Sequence, residues 1–179
     1  MSGISEKQLI EFCLKNDRKA QKELYDLYSR RMMGVCLRYS NDTETAKDML
    51  QDGFIKLFTH LKTFQFNGSF EGWMRRIFVN TCLEHLRKND VLHDAADLEH
   101  AAAPLSESNY GVVETLSARD LMKIIGELPK GFRMIFNMYE IEGYSHKEIA
   151  DALGITESTS RSQLTRAKQI LKNRIQSEF

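Results

Sequence analysis

The chain has 179 residues, 42% of them apolar, with two prolines and ten glycines, a length suited to two small helical domains and a composition that excludes a loop-rich or low-complexity protein. Its 25 basic and 25 acidic residues cancel, which excludes a protein that grips nucleic acid through bulk charge alone. No apolar run approaches the roughly 20 residues that span a bilayer, and Met1-Ser2-Gly3-Ile4-Ser5-Glu6-Lys7 lacks the basic-then-apolar layout of a secretory signal, so a cytoplasmic protein without membrane insertion is expected.

Ser5-Glu6-Lys7-Gln8 has capping-box spacing and opens a short helix carrying Leu9, Phe12 and Cys13 on one face. A longer helix is predicted from Arg18 to Tyr39, with Leu24, Leu27, Tyr28, Met32, Val35, Cys36 and Tyr39 in helical period. Ser40-Asn41-Asp42 breaks that period and offers Asp42 as the N-cap of a third helix. There Ala46, Met49, Leu50, Phe54, Leu57, Phe58 and Leu61 form the clearest apolar stripe in the chain, ending near Lys62. Phe64 to Gly72 holds two glycines without helical period and is expected to be a loop, with helix resuming from Trp73 to Lys88.

Charge then changes along the chain. Residues 1–90 carry 15 basic and 12 acidic groups, 91–115 none and 5, and 116–179 10 and 8. The middle stretch has an alanine run, one proline and no sustained period, which predicts an acidic, flexible linker between two domains. The second domain opens on Ser117-Ala118-Arg119-Asp120, a capping box, and its first helix stops at Leu128-Pro129. A helix over about Phe132 to Ile141, a turn at Glu142-Gly143-Tyr144, a capping box at Ser145 to Glu148 and a final helix from Glu157 to Ile175 complete the prediction.

Glu148-Ile149-Ala150, then Leu153-Gly154-Ile155-Thr156, then a basic helix has helix-turn-helix spacing. Ala150 is small where a second helix crosses, Gly154 can take the left-handed turn, and Thr156 can cap the next helix. In that last helix Ser160, Leu164, Ala167, Leu171 and Ile175 make the inward seam, leaving Arg161, Ser162, Thr165, Arg166, Gln169 and Lys172 outward. Arginine can bond guanine bidentately and lysine can neutralise phosphate, so this face suits DNA reading better than a merely solvated terminus.

In the third helix Asp48, Gln51 and Asp52 share the face opposite the apolar stripe, and Glu44 extends an acidic row. Like charges so spaced cost a few tenths of a kcal/mol per pair, roughly. An external basic partner would explain them. Equally, Asp42 and Glu44 suit the helix dipole and Lys56 could screen Asp52.

The runs Lys47-Asp48-Met49-Leu50-Gln51-Asp52-Gly53-Phe54-Ile55-Lys56-Leu57-Phe58 and Phe70-Glu71-Gly72-Trp73-Met74-Arg75-Arg76-Ile77-Phe78-Val79-Asn80, followed by the helix-turn-helix, resemble the extracytoplasmic function (ECF) sigma factors. The resemblance spans nearly the whole chain. It implies an all-α fold of two small domains, a region-two bundle over 1–90 and a region-four helix-turn-helix over 116–179, joined by the acidic linker 91–115. The function it implies is directing core RNA polymerase to promoter DNA and helping to melt it, with no catalysis, metal or cofactor of its own, and with an anti-sigma factor as a further partner. Carried across by position, Asp48, Gln51 and Asp52 dock on the polymerase clamp. The loop residues Phe64, Asn67 and Ser69, with Arg76 and Asn80 on the following helix, meet the minus-10 element, whereas Phe70 and Trp73 are expected to pack. Arg161, Ser162, Thr165, Arg166, Gln169 and Lys172 face the minus-35 element. Ser160 departs from the family by occupying a usually aliphatic position, and the expected consequence is a looser or rotated recognition helix.

The rival reading is a one-component dimeric helix-turn-helix regulator with residues 1–90 as a sensing or dimerising domain. Cys13, Cys36 and Cys82 are odd in number and widely separated, which predicts reduced core residues instead of disulfides or zinc ligands.

Overall fold

A computed structural model describes residues 4–40, 42–88 and 118–178, and divides the chain into two compact units, Met1–His85 and Leu86–Phe179. Among the described residues all regular structure is helical. The expected linker 91–115 lies outside the described residues.

The first unit contains α1 (Glu6–Leu14), α2 (Arg18–Tyr39), α3 (Thr43–His60), a 3-10 turn (Leu61–Thr63) and α4 (Phe70–Lys88). Each of the first three helices starts where a side chain can satisfy its free N–H groups. Ser5 and Gln8 form the capping box of α1, with Gln8 N–H on Ser5 Oγ at 3.2 Å and Ser5 N–H on Gln8 Oε1 at 2.9 Å. Asp17 accepts from Lys19 and Ala20, and Asp42 accepts from Thr45 N–H at 2.7 Å. Ser69 does the same for α4, accepting from Gly72 N–H at 3.2 Å. That cap corrects the expected boundary: the helix begins at Phe70, so Phe70, Glu71 and Gly72, assigned to loop, are its first three residues, because Ser69 satisfies a free N–H of the first turn.

The core of this unit gathers Leu24, Met32, Val35, Met49, Leu57, Met74 and Phe78, all at most 1% exposed. Burying such a side chain fully contributes roughly 1.5–3 kcal/mol. Gly53 is fixed by packing: a Cβ there would lie 2.6 Å from Phe78 Cδ1 and 2.8 Å from Cζ, so a bare backbone lets the Phe78 ring of α4 reach α3. Cys13, Cys36 and Cys82 are buried free thiols, and burial, with Asp17 and Glu23 adding to it, pushes the Cys13 thiol up to about 11.

The second unit contains α5 (Ala118–Gly126), α6 (Lys130–Phe136), α7 (His146–Leu153) and α8 (Glu157–Glu178). Its core cluster is Ile124, Ile125, Leu128, Phe132, Ala167 and Leu171. Pro129 turns the chain from α5 into α6, its carbonyl accepting from Arg133 N–H at 2.9 Å. Arg133 is itself buried and donates from Nη1 to Gly126 O at 2.9 Å, a cation at the carbonyl end of α5. The predicted helix from Phe132 to Ile141 is not one regular element. It widens into a π-helical turn over Asn137–Ile141, closed by Glu142 N–H on Asn137 O at 3.0 Å, which takes up an additional residue per turn.

Candidate nucleic-acid interface

On α3 the apolar stripe points inward, with Ala46, Met49, Leu50, Gly53, Phe54 and Leu57 buried. The 3.6-residue period therefore turns Asp48 and Gln51 to solvent. Asp52 sits at the edge of this face, its carboxylate 2.7 Å from His85 Nε2 on α4. Lys56, weighed as a screen for Asp52, pairs with Glu84 of α4 at 2.5 Å instead, and Lys47 pairs with Glu44 at 2.7 Å. These exposed pairs contribute roughly 0–1 kcal/mol each. Their larger effect is to fix which acids stay available, and Asp48 and Gln51 form the centre of that face. Ile55, 57% exposed, sets an apolar side chain one turn further along it. Sequence reasoning did not single out His85; it lies 33 residues from Asp52, and no local pattern links the two.

Between α3 and α4 four aromatic rings pack together. Phe64 is 8% exposed and its ring centroid lies 5.0 Å from Phe66, 5.1 Å from Phe70 and 5.2 Å from Trp73. Its ring therefore supports the loop from beneath. Phe70, 2% exposed, is also packed, meeting Tyr28 of α2 edge-on at 5.8 Å, and Trp73 is half-buried, so both serve packing as expected. The start of α4 is tied to α2 by Arg31–Glu71 at 2.7 Å, and α2 to α1 by Tyr28 Oη donating to the Glu6 carboxylate. Burial first, and that carboxylate second, push the Tyr28 hydroxyl well above its ordinary range. Asn67 and Ser69 are exposed, and Arg76 and Asn80, four residues apart on α4, are exposed on the face away from Met74, Phe78 and Cys82.

In the second unit Ser145 and Glu148 cap α7, with Ser145 Oγ accepting from Glu148 N–H at 3.2 Å. Gly154 takes φ 69°, a left-handed conformation that favours glycine, and its N–H bonds Ala150 O at 2.9 Å. Thr156 Oγ1 accepts from Thr159 N–H at 3.0 Å and starts α8. This is the predicted helix-turn-helix geometry. Along α8, Ser160, Gln163, Leu164, Ala167 and Leu171 are buried. Arg161, Ser162, Thr165, Arg166 and Lys172 are exposed, and Gln169 is half-buried.

Arg161 is held by Glu157 at 2.6 Å, Thr165 Oγ1 donates to Arg161 O at 3.0 Å, and Gln169 Nε2 donates to Asn173 Oδ1 at 2.9 Å. These bonds hold three of the side chains along the helix. The expected loosening at Ser160 is not found. Ser160 is fully buried and its hydroxyl lies 2.9 Å from His146 Nδ1 of α7, so a hydrogen bond between the two helices takes the place of aliphatic contact. His146 also stacks on Tyr139 at 4.4 Å.

The exposed face of Asp48 and Gln51, the loop over its aromatic floor and the outward basic helix are thus three separate surfaces, two on the first unit and one on the second. Residues 24–91 match the family described as Sigma-70 region 2, and residues 118–171 match that described as Sigma-70, region 4. Among curated proteins, the RNA polymerase sigma-H factor of Pseudomonas aeruginosa is 26% identical, covering 96% of this chain and 94% of that one. The ECF RNA polymerase sigma-E factors of Haemophilus influenzae and Escherichia coli are each 27% identical over 97% of this chain, and over 96% and 95% of their own length. A solved structure of the sigma factor RpoE with the anti-sigma factor NepR from Bartonella quintana aligns at TM-score 0.53 and 20% identity over 85% of this chain and 94% of that one, a likeness of fold.

Proposed function

Because this chain belongs to the ECF type of the sigma-70 family, we propose that its three surfaces divide the work of promoter recognition, one for polymerase and two for DNA. It is an alternative sigma factor that directs core RNA polymerase to promoters in transcription initiation. Sigma factors are non-enzymatic initiation factors, so the polymerase supplies the bond-making chemistry.

The observation that carries this reading is the order of the two region matches, region 2 ahead of region 4 in one chain. Asp48, Gln51 and Asp52 dock the polymerase clamp through charge-assisted bonds to basic side chains. Asn67, Ser69, Arg76 and Asn80 line the surface for the opened minus-10 element, Arg76 toward phosphate or base edge and Asn80 toward a base edge, with Phe64 as support beneath. Arg161, Ser162, Thr165, Arg166, Gln169 and Lys172 face the minus-35 major groove. The acidic stretch 91–115 tethers the two domains, 1–90 and 116–179. An anti-sigma factor holds the protein inactive until a signal arrives, as the RpoE–NepR complex suggests by analogy. No helix among the described residues is long and apolar enough to cross a membrane, and the factor works beside polymerase in the cytoplasm.

Runoff transcription with purified core polymerase and a genomic fragment library tests the proposal. The expected result is start-site selectivity that appears only when core and this protein are combined, with an asymmetric footprint. A symmetric footprint made by the protein alone would identify a dimeric regulator instead.

A further inference from the structure

The seam position of α8 that was expected to carry an aliphatic side chain holds Ser160, fully buried, and its hydroxyl meets His146 Nδ1 of α7 at 2.9 Å. Apolar contact is non-directional and constrains the roll of a helix about its axis only loosely, whereas a hydrogen bond weakens steeply as its angle departs from linear. The imidazole that sets this direction is itself held. His146 is the first residue of α7, directly after the Ser145 cap, and its ring stacks on Tyr139 at 4.4 Å with 23° between the planes. Tyr139 belongs to the π-helical turn Asn137–Ile141, and the next residue of that turn, Glu140, pairs with Lys168 of α8 at 2.7 Å. That pair is partly exposed and constrains little, so the buried bond is the stronger determinant of roll. Arg161 follows Ser160 directly, is exposed, and lies near enough to His146 for its charge to act on the imidazole. Side chains reach about 5–6 Å from a helix axis, so a roll of about 20° carries their tips by about 2 Å. A shift of that size breaks a bidentate bond to a base edge.

We propose that His146 is a positioning residue for minus-35 recognition: through Ser160 it fixes the roll of α8, and thereby which base edges Arg161 and its outward neighbours read. The inference rests on the reading of α8 as the minus-35 surface, and deepens it by naming a specificity determinant behind the groove face. Ser160 lies on the buried side of α8, so the pair acts through the helix and not through a base contact of its own. A buried hydrogen bond contributes little net stability, but a satisfied one rigidifies the packing and specifies a single arrangement.

The test uses the full chain assembled with core polymerase, and measures competition between a promoter with its preferred minus-35 element and versions altered there at one base pair, the minus-10 element unchanged. Both DNAs compete for the same protein, so their affinity ratio does not depend on the fraction folded, and a role in stability alone would leave it unmoved. His146→Phe keeps a ring to stack on Tyr139 but offers no atom to bond Ser160, and Ser160→Ala removes the bond from the other side. Each is expected to reduce discrimination at one or more minus-35 positions by at least about five-fold, the low end of one bidentate base contact, with discrimination at the minus-10 element at the parental value. The double variant should lose no more than either single one, because the same bond is removed in all three. His146→Asn, whose amide takes the place of Nδ1, should retain discrimination. Parental minus-35 discrimination in either His146→Phe or Ser160→Ala overturns the proposal. So does a double variant whose loss is the product of the single losses, or a His146→Asn protein that discriminates no better than His146→Phe. A parent without any minus-35 preference sinks the minus-35 reading, and this inference with it, whereas a selective parent with equally selective variants sinks this inference alone.

Discussion

Adding one methyl group at Gly53 is expected to destabilise the first unit, while the same addition at Gly34 is expected to stabilise it. At Gly53 the new carbon would stand within 2.8 Å of three atoms of the Phe78 ring, far inside van der Waals contact. Phe78 cannot swing aside cheaply, because it is fully buried and meets Phe54 edge-on at 5.2 Å. Overpacking of this kind costs about 1–3 kcal/mol, and the helix-propensity gain from glycine to alanine offsets about 1 kcal/mol of it. The contact is severe enough to place the net loss for Gly53→Ala at about 1–2 kcal/mol. For a unit of this size, that lowers its melting temperature by roughly 4–15 °C. At Gly34, inside α2, an added Cβ meets nothing within 4 Å, so only the propensity gain of roughly 0.5–1 kcal/mol remains. Trp73 is the only tryptophan in the chain and belongs to the first unit. Its fluorescence during urea unfolding therefore reports this unit alone. A Gly53→Ala protein that unfolds at the parental urea concentration or above would refute the packing argument.

Three further outcomes follow from the surfaces. Reversing the exposed Asp48 to arginine should weaken competition for core polymerase without lowering the unfolding midpoint, and undiminished competition would move the docking face elsewhere. Arg166→Ala should reduce discrimination between correct and altered minus-35 sequences by about 1–3 kcal/mol with docking intact, measured by competition between promoter variants. Partial burial first, then Arg161 and Lys168, opposed by Glu157, hold the His146 pKa below its ordinary 6.5. The unfolded chain therefore takes up a proton near 6.5 that the folded helix-turn-helix resists, so stability is full above that pH and declines as pH falls through the folded value. The parent should lose more stability than His146→Gln between about pH 7 and about pH 5, by thermal unfolding; equal losses would remove His146 as the cause.

The amino-acid sequence alone carried the parts of this protein that depend on near neighbours. Ser5, Asp42, Ser145 and Thr156 cap helices through bonds to residues three positions on, and Gly154 turns the chain through its own backbone freedom. The helix-turn-helix and the inward seam of α8 were legible for this reason. What only the tertiary structure decided are the partners brought together from afar: Asp52 with His85, Lys56 with Glu84, and Ser160 with His146. The loop shows the difference most clearly. Phe64 and Phe66 are two positions apart in an irregular segment without a period to mark inside from outside, and it is Phe70 and Trp73 of α4 that enclose the first ring and leave the second in solvent. Hydrogen bonds close over a few residues and so can be read along a chain, whereas burial is set by whichever side chains another helix delivers.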